Sequence, residues 1–414
     1  MTMNQTISLS AAFLFASVLT VGCVDYDDAT RAVSVDVQLV APEEFTAANA
    51  GLEGRTVVIT KQDGTRLAAT TDASGQAHFA GIVPDVYAVS TSWDLTAGEY
   101  AGLTGDNVVN EGAVVSGNIN SQLLAEDRVT APLQLATQLS INRSIVIGKV
   151  YYAGTKDNNK KNYLAGRYIE LYNQSDHSVD VAGLYVGLVE TNSSPAYTLA
   201  QLKSEYADSV VMLKQVFRIP VDKPVEVVPG GTVIITNSAI DHTVNASTDP
   251  NLLTADFEAK DERGRTVNNP AVRALELKYT TYAAITNMNL SQGGPGAVVI
   301  FRTDADVTSW PLAYDYGKTK GNQWLVAPKR YMLDAVEILK YKATGTDIAT
   351  KRFYDDLDAG YITIRSAGGY TGEVVYRKTS SRKGKDGHRI LLDTNNSSND
   401  FQVSTTIGIR KYDE

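Results

Sequence analysis

Apolar and polar residues alternate along most of this chain with the period of a β-strand. From Val33 the apolar residues Val33, Val35, Val37 and Leu39 are separated by Ser34, Asp36 and Gln38, which turns one side of the segment to a core and the other to solvent. Residues 52–60 repeat the pattern. Gln62, Asp63 and Gly64 then predict a hairpin turn, because an Asp-Gly pair supplies the positive φ angles such a turn needs. Residues 67–71 return, Asp72-Ala73-Ser74-Gly75 turns again, and 76–80 and 86–90 read as further strands. With the alternating segments 113–124 and 131–140, this spacing predicts a β-sandwich over residues 33–142. A second run of strands opens at residue 144. In it Tyr168, Glu170 and Tyr172 share one face while Ile169 and Leu171 take the other. The fold class expected is all-β: two β-sandwich domains, the second over 143–414 with long insertions. One helix is expected where Leu199, Leu202 and Tyr206 fall on a single stripe.

The N-terminus breaks the alternation. Ile7 to Gly22 is an apolar run of 16 residues, shorter than the roughly 20 a membrane-spanning helix needs, and it ends at Cys23. Cys23 is the one cysteine of the 414 residues, so disulfide, thiolate-metal and cysteine-nucleophile chemistry elsewhere is excluded. The junction resembles a bacterial lipobox, which implies a signal peptide over 1–22, acylation of Cys23 and an acidic tether over 23–32. Asp25, Asp27 and Asp28 resemble the export signal that sends lipoproteins of Bacteroidota-type bacteria to the cell surface; as plain chemistry they also solvate the join between lipid and domain. Localisation follows as an outer membrane, lipid-anchored and surface-exposed. A net charge of −9 argues against nucleic acid as a partner, because phosphate binding needs a concentrated basic face.

Two family resemblances cover nearly the whole chain. Residues 71–79 through Tyr87 resemble the prealbumin-like carboxypeptidase-regulatory and Cna-B sandwiches, which serve as stalks and docking modules. Gly166-Arg167-Tyr168-Ile169-Glu170-Leu171-Tyr172-Asn173, the Pro229-Gly230-Gly231 turn with its following strand, and residues 373–378 with 393–401 resemble the lamin-tail domain, an immunoglobulin-like sandwich. Together with the lipobox, they resemble an uncharacterised family of Bacteroidota surface lipoproteins. The resemblance implies a non-enzymatic ligand- or partner-binding module beside a TonB-dependent outer-membrane transporter.

The second domain exceeds a lamin-tail core by five insertions, at 154–166, 190–224, 238–292, 303–330 and 343–367. Long connections without structure of their own are uncommon in compact domains and often functional. These insertions are rich in aromatics, in a chain with 22 Tyr against 9 Phe and 3 Trp. Such residues combine contact area with a polar handle, so Tyr163, Tyr282, Tyr316 and Trp324 are the candidate partner-binding residues. The competing reading makes them a satellite core beneath the loops.

Catalytic signatures are missing from the sequence. His78, His177, His242 and His388 have no partner at metal-ligand spacing, and no nucleophile elbow, zincin motif or phosphate loop is present. No catalytic residue, cofactor or metal is therefore expected. Acid pairs such as Asp355-Asp356 or Asp304 with Asp306 leave a hydrolase open as an alternative, and an adhesion or surface-structural role is another. Residues 393–400 are rich in oxygen donors. They are expected to form a self-satisfying turn, with calcium the weaker alternative.

Overall fold

A computed structural model describes residues 31–61, 65–105, 112–141 and 143–412. Cys23, Asp25, Asp27, Asp28 and the Gln62-Asp63-Gly64 turn lie outside the described residues. The architecture is all-β. No ladder pairs a described strand before residue 142 with one after it.

The first sandwich packs a three-stranded sheet against a five-stranded one. Val33–Val40 lies at the centre of the smaller sheet, antiparallel to Gln76–Ile82 and parallel to Arg128–Ala136. The larger sheet runs Arg66–Thr70, Thr56–Lys61, Asp85–Leu95, Ala113–Leu124, Gln138–Ile141. Alternation decides what goes inside: Val35, Val37, Leu39, Val57, Ile59 and Val89 meet in an aliphatic core. Gly75 (φ +80°) closes its turn where a Cβ would sit 2.9 Å from that of Leu52, so only glycine fits. His78 pairs with Asp36 across the neighbouring strand, a structural role. The helix Ala97–Thr104, which strand periodicity did not announce, interrupts the strands. Thr96 and Glu99 form a capping box, each satisfying the other's backbone N–H.

The second sandwich holds two seven-stranded sheets. The first runs Arg273–Ala274, Phe257–Glu258, Thr232–Thr236, Tyr168–Asn173, Ile145–Tyr151, Val374–Arg377, Phe401–Ser404. The second contains Leu312–Ala313, Trp324–Pro328, Val210–Arg218, Tyr185–Val189, Val298–Phe301 and Met332–Val336, with Glu276–Thr280 also paired to Val210–Arg218. Every residue of Tyr168–Asn173 is buried, because the chain's later segments cover the sheet's outer face. Glu170 on that strand lies opposite Lys149, and their fully buried side chains pair at 2.9 Å. The Tyr412 ring lies 4.0 Å from the Lys149 ammonium, a cation–π lid that Gly148 makes room for by having no side chain. The expected helix spans Leu199–Tyr206, capped by Thr198 and Gln201, with Leu202 buried.

Candidate functional site

The four aromatics singled out in the sequence do not converge. Trp324 is 0% exposed, with its indole N–H donating to Asp315 at 2.9 Å. It offers no surface to a partner, and the reason is packing. It sits in a buried cluster with Tyr197, Leu202 and Met212. Tyr282 is half-buried edge-on to Trp324, 6.3 Å between centroids. Tyr316 is 46% exposed and meets the same cluster through Tyr197. Tyr163 lies elsewhere, its hydroxyl 2.7 Å from Nδ1 of the buried His242. His242 Nε2 is 2.7 Å from the Ser238 carbonyl, so Nε2 carries the proton and Nδ1 accepts from Tyr163. Burial holds His242 below the usual histidine range.

A groove of about 770 Å³ opens elsewhere on the second sandwich, and none of those four aromatics lines it. One wall is Phe401–Ser404, the edge strand of the first sheet, continuing through Thr405 and Thr406. The facing wall is the extended segment 361–365, bridged in parallel at Ile362 to Ile338 just beyond the second sheet's edge strand. Tyr341 and Thr346, on the hairpin of Lys340–Lys342 and Gly345–Asp347, complete the rim.

Both walls are held from behind by buried charge. Arg377 is fully buried and donates to both oxygens of Asp334 (2.7 and 2.6 Å) and to Asp393 at 3.0 Å, with Asp400 at 3.6 Å. Phe401 stacks its ring 4.5 Å from the guanidinium. One arginine cannot neutralise three carboxylates out of water, and burial pushes the Asp334 and Asp400 carboxyls up to about 7. Asp358 ties the walls together, accepting from the N–H groups of Gly360 at 3.0 Å, Ser397 at 2.8 Å and Glu337 at 2.8 Å. At Gly360 the walls approach so closely that a Cβ would lie 2.7 Å from the Ser398 nitrogen. The oxygen-rich stretch 393–400 is the self-satisfying turn expected. Asp400 accepts from Thr394, Asn396 caps the Ser397–Asp400 turn, and Asp393 pairs with Arg377. Among the described residues no group of three or more His, Cys, Asp or Glu could hold a metal. Asp306 caps a short helix through Thr308, and Asp356 pairs with Lys329.

The backbone of the two walls differs from that behind it. Lys378 N–H donates to the Asp400 carbonyl, so the alternation of an antiparallel ladder assigns the inward bonds to Gln402 and Ser404. Val403 therefore turns its N–H and C=O away from its own sheet. On the facing wall Ile362 bonds back to Glu337 and Leu339, which turns Tyr361 and Thr363 outward. The Ser398 hydroxyl bonds both the N–H (3.0 Å) and the C=O (2.8 Å) of Tyr361. No described group does the same for Thr363 or Val403. The Tyr341 and Tyr361 hydroxyls, the Arg365 guanidinium and the Gln402 amide likewise have no partner among the described residues. Both Glu373 oxygens are engaged, by Arg365 N–H at 3.1 Å and Thr371 at 2.5 Å. Sequence reasoning missed Tyr341 and Tyr361. Their only signal was proximity to the 343–367 insertion, within which Tyr361 falls.

The molecule is thus an all-β protein of two sandwiches, the second carrying an open polar–aromatic groove between its sheet edges. Residues 228–407 match the family model DUF4876, a protein of unknown function. The match meets the expectation of an uncharacterised Bacteroidota family. A crystal structure of a DUF4876 family protein from Bacteroides thetaiotaomicron VPI-5482 is similar, with 21% identity, a TM-score of 0.56 and 89% of this chain and 94% of that chain covered. That likeness shows the fold. A DUF3823 family protein from Parabacteroides merdae ATCC 43184 is 8% identical over 49% of this chain and 80% of its own, and its TM-score of 0.16 carries no argument. No curated protein matches.

Proposed function

We propose that this chain is a lipid-anchored, surface-exposed binding protein without catalytic activity, its first sandwich a pedestal and its second presenting the groove to a ligand or partner. Acylation of Cys23, export directed by Asp25, Asp27 and Asp28, and service beside a TonB-dependent transporter belong to the same proposal. Among the described residues no helix is long and apolar enough to cross a membrane. The observation that carries the reading is the groove. It joins two tyrosine hydroxyls, an arginine and an amide without partners among the described residues, on walls fixed by buried hydrogen bonds. Such convergent polar groups on a rigid concave surface are what orients a ligand. The buried carboxylates behind it, by contrast, are engaged with Arg377, serine hydroxyls and backbone N–H groups.

Co-purification from detergent-solubilised outer membrane tests the proposal. Tyr361→Ala and Tyr341→Ala should each reduce the recovered partner several-fold without changing the melting temperature. Unchanged recovery in both would contradict the groove. Cys23→Ala should leave an unprocessed or soluble species, and normal membrane retention of that variant would contradict the anchor.

A further inference from the structure

We infer that the groove takes an extended peptide segment of another protein, added as a strand between the two sheet edges with an acidic side chain against Arg365. This rests on the binding reading above and names its ligand class. The observation is the pair of outward-facing backbones. Val403 on one wall and Thr363 on the other each present an N–H and a C=O that no described group satisfies. Buried or half-buried backbone polar groups find partners, and an edge strand's free row of them is a template for another strand. Next to them, Ser398 already bonds the N–H and C=O of Tyr361 from the position an added backbone would take. Past Ser398 the wall runs extended through residues 402–404, about 10 Å of chain, before the bend at Thr405 and Thr406. In strand addition the main chain supplies affinity and pockets for alternate side chains supply selectivity. Tyr341 and Tyr361 are placed to form such pockets. Of the two charges lining the groove, Glu373 is engaged internally and Arg365 is not, so the complementary charge on the peptide is a carboxylate.

Val403→Pro is the informative variant. Proline is tolerated on an edge strand where its missing N–H faced outward, so the fold should survive, as an unchanged melting temperature would verify. The probe is an N-acetylated, C-amidated eight-residue peptide alternating valine and threonine about one central aspartate, titrated calorimetrically. Saturable binding is expected, weakened roughly tenfold by Val403→Pro and little by Val403→Ala, about one backbone hydrogen bond's worth. N-methylation of alternate peptide residues should weaken it similarly. Arg365→Ala should weaken the aspartate peptide about fivefold and leave its asparagine counterpart unchanged. Equal binding by Val403→Pro and Val403→Ala, or no saturable peptide binding at millimolar concentration, overturns the inference. Titration by maltohexaose in place of the peptide also overturns it while leaving the groove as a binding site. Loss of the co-purified partner in Tyr361→Ala but not in Val403→Pro gives the same division. Loss in neither removes the binding reading itself.

Discussion

The two sandwiches solve burial in opposite ways. The first fills its interior with apolar side chains, chiefly Val, Leu and Ile, and buries Asp36 only where it pairs with the exposed His78. The second buries Lys149 with Glu170, Glu190 with Arg352, and Arg377 among Asp334, Asp393 and Asp400. An aliphatic core needs only volume and alternation, and it tolerates loose specification. A buried charge is acceptable only when every partner is in place. The second sandwich therefore gains fixed positions for its long connections, and a groove with rigid walls, at the cost of strong dependence on single residues.

The largest expected effect breaks the charged side of that comparison. Arg377→Met leaves three carboxylates without their cation and should destabilise the second sandwich by about 3–5 kcal/mol. Calorimetry should show its transition falling while that of the first sandwich holds. The opposite control is Ile59→Ala, which removes a fully buried aliphatic side chain and should cost the first transition about 2–4 kcal/mol with no pH dependence.

Acidity sharpens the contrast. Burial pushes the carboxyls of Asp334, Glu337 and Asp400 up to about 7 and that of Asp249 to about 6. A carboxyl whose folded pKa is raised binds its proton more tightly in the native state. Its contribution is therefore full below about pH 4 and is lost as pH rises toward the folded value. His242, held neutral by burial, works the other way and gains as pH rises through the histidine range. Lys214, pushed down to about 7 by burial, is charged in both states below that value. Four raised carboxyls outweigh one histidine, so the second transition should fall as pH rises from about 4.5 to about 6.5. The first should stay flat. Hydrogen bonds lower its Asp72, Asp85 and Glu99 carboxyls, so their contributions vanish only below about pH 4. A second transition that is equally flat would mean that the buried carboxylates are fully compensated.

The smallest effect concerns the aromatic cluster. Tyr316→Ala, at an exposed rim, should change stability by no more than about 0.5 kcal/mol. Trp324 differs from Tyr316 by burial, not by residue class.

Strand periodicity made the two sandwiches legible, because a half-buried strand writes its face into every second residue. It failed where both faces are covered. Tyr168–Asn173 is buried throughout, so alternation gives no sign that Glu170 and its partner Lys149 lie inside. Arg377 is hidden in the same way, since three acids distant in sequence or on another strand neutralise it. The aromatics of the insertions were visible as a class, but sequence could not separate Trp324 in a cluster from Tyr361 on a groove. The groove's backbone groups are beyond any side-chain pattern. Which N–H of Phe401–Ser404 faces outward depends on register with Val374–Arg377, a pairing between segments more than twenty residues apart.

Site-specific photocrosslinking on intact cells tests the central claim most directly. A benzophenone amino acid placed at Tyr361, in the groove, is compared with one at Tyr316, on the aromatic cluster. A discrete crosslinked partner is expected from position 361, with the adduct mapping to an extended segment, and little from position 316. Equal crosslinking from both positions, or a partner captured at 316 alone, would contradict the assignment of the groove.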